Sequence, residues 1–188
     1  MELTQLLETQ RRFAAAISRE QLKAFFLEES KRLGFECSVY ALRLPTKFSN
    51  AQVIMLDGYP EGWVKRYFEA AHYTVDPVMA WCAQHIIPVR WSNLVLETAG
   101  AAQQMMAEAA EYGLRDGVTM PEHSPQGELG ILSLSLDAPP ERAHAVTERA
   151  LLIVQLLAIH LHQAVRRRGG VPAAEGSSLT ARERECLS

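Results

Sequence analysis

Between Tyr59 and Trp91 the run YPEGWVKRYFEAAHYTVDPVMAWCAQHIIPVRW places aromatic rings and one carboxylate where they could hold a small molecule. Tyr59, Trp63 and Tyr67 recur every four residues, so Trp63 and Tyr67 share a helix face with Tyr59 just ahead of it. Each ring carries an apolar body and one polar group, an indole N–H or a phenol O–H. Asp76 is the nearest carboxylate across the loop that follows. Rings of this kind supply walls, and a few directed hydrogen bonds fix orientation, which suits a ligand of mostly hydrocarbon with a compact polar head. The same residues serve two plainer ends. Aromatics at helical spacing fill cores, and an aspartate before proline caps a helix. Residue types alone leave both uses open.

Catalysis would need a nucleophile, a base and a site for developing charge. Ser133 lacks a GxSxG context and has no base evident in the sequence. The six histidines fall mostly in separate segments. His160 and His162, two apart on a helix, do not share a face as metal ligands would, and are expected to be solvated or boundary side chains. Cys37, Cys82 and Cys186 are odd in number and widely spaced, with no CxxC and no metal-ligand spacing to histidine. The expectation is a chain with no catalytic residues, no metal and no cofactor, its thiols free in a reducing compartment.

The elements that would position Tyr59–Trp91 follow from periodicity. Leu3, Leu6, Leu7, Phe13 and Ile17 are roughly helical over residues 2–17. Ser18 with Gln21 matches a capping box for a second helix, which buries Leu22, Phe25, Phe26 and Leu33 and stops at Gly34. Residues 35–44 and 51–56 read as a strand hairpin across a turn at 45–50. Pro60 opens a helix bearing Trp63, Val64, Tyr67 and Phe68, and Asp76-Pro77 opens another that ends before Pro88. Residues 99–112 form a helix closing at Gly113, 117–121 and 130–136 form two strands, and 141–167 form a long apolar helix. This order predicts an α+β fold, an α/β/α sandwich with a central antiparallel sheet flanked by helices.

After Arg168 the segment GGVPAAEGSS, residues 169–178, has linker chemistry, and LTARERECLS, residues 179–188, starts like a new element. Residues 1–168 are therefore expected as the domain proper. A length of 188 residues suits one large domain plus a fragment, and a net charge of −3 gives no overall footprint for nucleic acid. The N-terminus lacks an apolar core of signal-peptide length, and no run approaches the about 18 apolar residues of a membrane span. A cytoplasmic, soluble chain with no membrane partner is expected.

Three stretches together resemble the LuxR-type quorum-sensing transcriptional regulators. YP..W…Y followed by DP and then W resembles their autoinducer-binding domain, as does GLRDGVTMPEHSPQGELGILSLS at Gly113–Ser135. LTARERECL resembles the opening of their helix-turn-helix domain, here truncated. The resemblance implies a receptor for an N-acyl-homoserine lactone that couples binding to folding, dimerisation and transcription regulation. It implies that Trp63 donates to the lactone carbonyl and Asp76 accepts from the ligand amide. It implies too that Tyr59 and Ser133 bond the acyl carbonyl, that Tyr67 and Trp91 pack beside the head group, and that Gly117 is a backbone glycine of the pattern. Val78, near the head group, and Val64 stand where some relatives carry polar side chains, one of which serves a 3-oxo substituent. Val39, Ala41 and Val53 or their neighbours, with Met105 and Met106, could line the acyl tail, and could equally be core. A homodimer is expected, with the 141–167 helix a candidate surface, and DNA contact only through the helix-turn-helix domain. The alternative is a LuxR-type interaction module that binds a different small molecule or none.

Overall fold

The computed structural model describes residues 3–45 and 52–168. Residues 46–51, the expected linker at 169–178 and the expected start of a second domain at 179–188 lie outside the described residues. Two helices, α1 (Leu3–Ala15) and α2 (Arg19–Arg32), lead into strands β1 (Cys37–Leu44) and β2 (Gln52–Asp57). Four short helices follow: α3 (Glu61–Glu69), α4 (Pro77–Cys82), α5 (Trp91–Val95) and α6 (Ala101–Glu111). A two-residue strand β3 (Val89–Arg90) leads into α5; β4 (Asp116–His123), β5 (Leu129–Leu136) and α7 (Pro140–Arg168) complete the chain.

The strands form one five-stranded antiparallel sheet in the order β2-β1-β5-β4-β3. Its two faces separate by the period of two along each strand. Tyr40 and Leu42 of β1, Leu132, Leu134 and Leu136 of β5, and Val118 and Met120 of β4 pack with Phe13, Leu22, Phe26 and the inner side of α7. The other face, with Leu129 and Ile131, packs beneath α3–α6 through Trp63, Val78, Cys82, Trp91, Leu94, Met105, Met106 and Ala109. The arrangement is the α/β/α sandwich that the element order predicts, and the site lies on the α3–α6 side.

Three details depart from expectation. Ser18 caps α2 by accepting from Gln21 N–H at 3.1 Å, but the reciprocal bond runs from the Ile17 N–H to Gln21 Oε1, one residue early. β3 and α5 occupy a stretch whose sequence signals neither element, because two ladder residues carry no readable period. α7 is long and apolar enough by length and hydropathy to cross a membrane, against the expectation that no run approaches a span. It instead lies along the sheet with Val154, Leu157, Ala158 and Leu161 fully buried.

Candidate functional site

Gly58 and Asp57 set the approach of Tyr59. A side chain on Gly58 would meet Ser38 O at 2.8 Å and Leu27 Cδ2 at 2.3 Å, so only glycine lets the chain leave β2 here. Asp57 Oδ1 then accepts from the Tyr59 N–H at 2.9 Å. This directs the Tyr59 phenol at the sheet, beside the hydroxyls of Ser135 and Ser133. Burial raises the Tyr59 pKa and keeps the phenol protonated, as a hydrogen-bond donor.

Trp63 is held by rings on three sides. His72 stacks on it at 5.6 Å, Tyr67 meets it edge-on at 5.8 Å and Tyr112 lies tilted at 5.7 Å. Ala71, in the left-handed region at φ 52°, folds the chain back after α3 so that His72 reaches Trp63. The outer edge of His72 is tied down by Glu108 of α6, whose Oε2 lies 3.1 Å from His72 Nε2.

Asp76 does two jobs at once. Oδ1 accepts from the Val78 and Met79 N–H groups at 2.8 and 3.3 Å, the N-cap of α4, while Oδ2 accepts from the Tyr67 hydroxyl at 2.8 Å. Burial pushes the carboxyl pKa up, opposed by the Tyr67 bond and then by the two backbone donors. Of the uses left open by the sequence, the capping one is realised, and the second carboxylate oxygen is taken by the Tyr67 hydroxyl of the aromatic cluster. Val78 is buried in the same cluster, 6% exposed, where it offers only hydrocarbon.

On the facing sheet, the registers set Val39 opposite Ser133 and Ser133 opposite Thr119, with Cys37, Ser135 and Gly117 in the next row. Trp91 donates its indole N–H to Thr119 Oγ1 at 2.8 Å, and Thr119 Oγ1 lies 2.8 Å from Ser133 Oγ. Gly117 makes room for that indole: a Cβ there would lie 3.1 Å from the ring and 2.4 Å from Leu134 O. Val39, Ala41 and Cys37 are only half-buried, whereas Ser38, Tyr40 and Leu42 on the opposite face are buried. Met105 and Met106 are buried in the α3–α6 layer, and Val53 is 55% exposed on the edge strand.

Tyr59, Trp63, Tyr67, Asp76, Val78, Trp91 and Ser133 therefore all lie in or beside one layer between α3–α6 and the sheet. Thr119, Ser135, His72 and Tyr112 join them without having been singled out in the sequence. Thr119 had one available signal, its place two residues after Gly117 in a strand. Two clefts, of about 370 Å³ beside Glu29 and Arg149 and about 220 Å³ beside Arg19 and Val165, open on the α1, α2 and α7 side and share none of these residues. Among the described residues no group of three or more histidine, cysteine or acidic side chains is placed to hold a metal.

The family profile described as autoinducer binding domain matches residues 18–165. The chain is an autoinducer-binding domain of the LuxR type. This autoinducer-binding domain is 32% identical over 132 residues to the putative HTH-type transcriptional regulator y4qH of Sinorhizobium fredii, covering 69% of this chain and 39% of that protein. It is 28% identical to the transcriptional activator protein AhyR of Aeromonas hydrophila, covering 100% of this chain and 74% of AhyR. Among solved structures it resembles SdiA of Escherichia coli, with a TM-score of 0.74, 25% identity, and coverage of 98% of this chain and 76% of that one. It also resembles CepR2 of Burkholderia cenocepacia, described as an N-acylhomoserine lactone dependent LuxR family transcription factor. There the TM-score is 0.73 at 25% identity, covering 89% of this chain and 98% of that one. Of these, y4qH, AhyR and CepR2 are described as transcriptional regulators, activators or factors.

Proposed function

We propose that this domain is a cytoplasmic, non-catalytic receptor for an N-acyl-homoserine lactone. The observation that carries the reading is the pairing of Asp76 with opposed hydroxyls. The buried Asp76 carboxylate on the helical side shares its layer with Trp63, with the Tyr59 phenol just past the end of β2, and with Ser133 on the sheet, where half-buried Val39 is its register partner. An acylated amide needs that set: an acceptor for its N–H, donors for its carbonyls and an apolar lane for its chain. Pairing the amide with an ionised acceptor is stronger than with a neutral one.

Binding should stabilise the fold in proportion to ligand excess, by about 2.7 kcal/mol at a hundredfold excess over Kd. The stabilised domain then pairs with a second copy, and a helix-turn-helix domain after residue 179 in the full-length protein contacts a two-fold operator. Leu152, Leu156 and Ile159, exposed by 75%, 43% and 49% on one side of α7, support that pairing. One observation favours a second reading. SdiA is described in complex with octanoyl-rac-glycerol, an acyl ligand without a lactone or an amide, at a TM-score of 0.73.

Thermal unfolding against lactones of graded acyl length, with octanoyl glycerol alongside, tests both readings. A lactone-specific rise in Tm, diminished in Asp76→Asn and in Trp63→Phe, is the expected outcome. A rise with octanoyl glycerol that Asp76→Asn leaves unchanged would favour the second reading. No rise with any acyl ligand, in folded protein free of carried-over ligand, would leave the module without a small-molecule role.

A further inference from the structure

The direction of the hydrogen bonds behind the sheet wall is constrained by one residue. An indole nitrogen can only donate, so the 2.8 Å contact between Trp91 Nε1 and Thr119 Oγ1 uses one lone pair of the hydroxyl. Thr119 then has one hydrogen of its own, and Ser133 Oγ lies 2.8 Å away across the β4–β5 pair. The reverse order would make Thr119 accept twice and turn its hydrogen elsewhere. Thr119 is fully buried, and among the described residues its hydroxyl has no other acceptor. A buried hydroxyl hydrogen without a partner is unfavourable, so the forward order prevails.

We propose that Trp91 and Thr119 are positioning residues that hold Ser133 as a hydrogen-bond donor, so that the sheet wall favours a strong acceptor such as a carbonyl oxygen over a weak one. Trp91 donates to Thr119, Thr119 donates to Ser133, and the Ser133 hydrogen is left for the layer beneath α3–α6, directly or through the adjacent Tyr59 hydroxyl. Gly117 belongs to the device, since a side chain there would push into the indole. The inference rests on the receptor reading and adds the two residues that hold the Ser133 hydroxyl in its donor orientation.

The test compares N-octanoyl-homoserine lactone with its thioamide, which keeps the N–H for Asp76 but replaces the carbonyl oxygen with sulfur, a much weaker acceptor. Calorimetric affinities are measured for the wild-type chain and for Thr119→Val, Thr119→Ser and Trp91→Phe. Wild type should prefer the amide at least about fivefold. That preference should collapse toward one in Thr119→Val and Trp91→Phe and return in Thr119→Ser, which restores the hydroxyl. Thr119→Val is nearly isosteric, so it remains informative if Trp91→Phe fails to fold. An unchanged preference in folded Thr119→Val overturns the relay. Absence of binding of either molecule by wild type instead overturns the receptor reading itself, so the two failures are distinguishable.

Discussion

Asp76 shows how one side chain can both cap a helix and anchor an aromatic ring. Its carboxylate holds the start of α4 and the Tyr67 phenol, in a setting dry enough to raise its pKa. A raised carboxyl pKa means that the ligand-free fold binds the proton more tightly than the unfolded chain does. The Asp76 contribution to stability is therefore greatest below the ordinary carboxylate range and is lost as pH rises through the folded value. A ligand amide N–H favours the ionised form, so lactone affinity should rise with pH through that same window. Asp76→Asn should flatten both dependences and weaken binding roughly tenfold to a hundredfold, as expected for a bond to a charged group worth roughly 1.5–3 kcal/mol. Urea unfolding and calorimetry as functions of pH check the two signs. An affinity that falls with rising pH would contradict this account.

At the scale of elements, the β4–β5 hairpin is the fully paired, buried half of the candidate site, and α3–α6 are short pieces packed against it. The hairpin brings Thr119 and Ser133 into register and seats Trp91 on Gly117. Gly117→Ala would place a methyl 2.4 Å from the Leu134 carbonyl, a backbone atom that cannot swing aside. Overpacking of that kind costs about 1–3 kcal/mol, and the indole must shift as well. A lowered urea midpoint with altered tryptophan fluorescence is the expected result, and an unperturbed midpoint would count against the close fit. The buried hairpin was legible because residues 130–136 are continuously apolar or small, and the pairing of Ser133 with Thr119 follows from the register. The helices were harder. Pro77 announced α4, yet α5 has no cap and no room for a period in five residues.

For the whole molecule, α7 both closes the core and offers an outer apolar stripe. Replacing Leu152 and Leu156, both exposed, with glutamate should leave the fold intact and abolish self-association. Sedimentation of wild type and variant, each with lactone, measures this, and a wild type that stays monomeric at all concentrations would remove α7 as the dimer surface. The opposite layer holds a contact with no sequence signature. The Tyr40 hydroxyl and His162 Nδ1 meet at 2.7 Å from positions 122 apart, over a Gly130 where any Cβ would meet both. His162 is half-buried, the boundary position expected of it, and desolvation there lowers its pKa.

The amino-acid sequence by itself determined the layered α+β order, the helix starts at Ser18 and Asp76, and the side-chain types of the aromatic cluster. Those properties depend on local period, capping chemistry and side-chain type. Tertiary structure alone decided which oxygen of Asp76 faces Tyr67, that His72 and Tyr112 enclose Trp63, and that Trp91 reaches Ser133 through Thr119. It also decided that Leu157 and Leu161 turn inward while Leu152 and Leu156 turn out, although all four are leucines on one helix. Each of these depends on where a distant strand or ring lies, and the burial of a side chain is set by what packs against it rather than by its own identity.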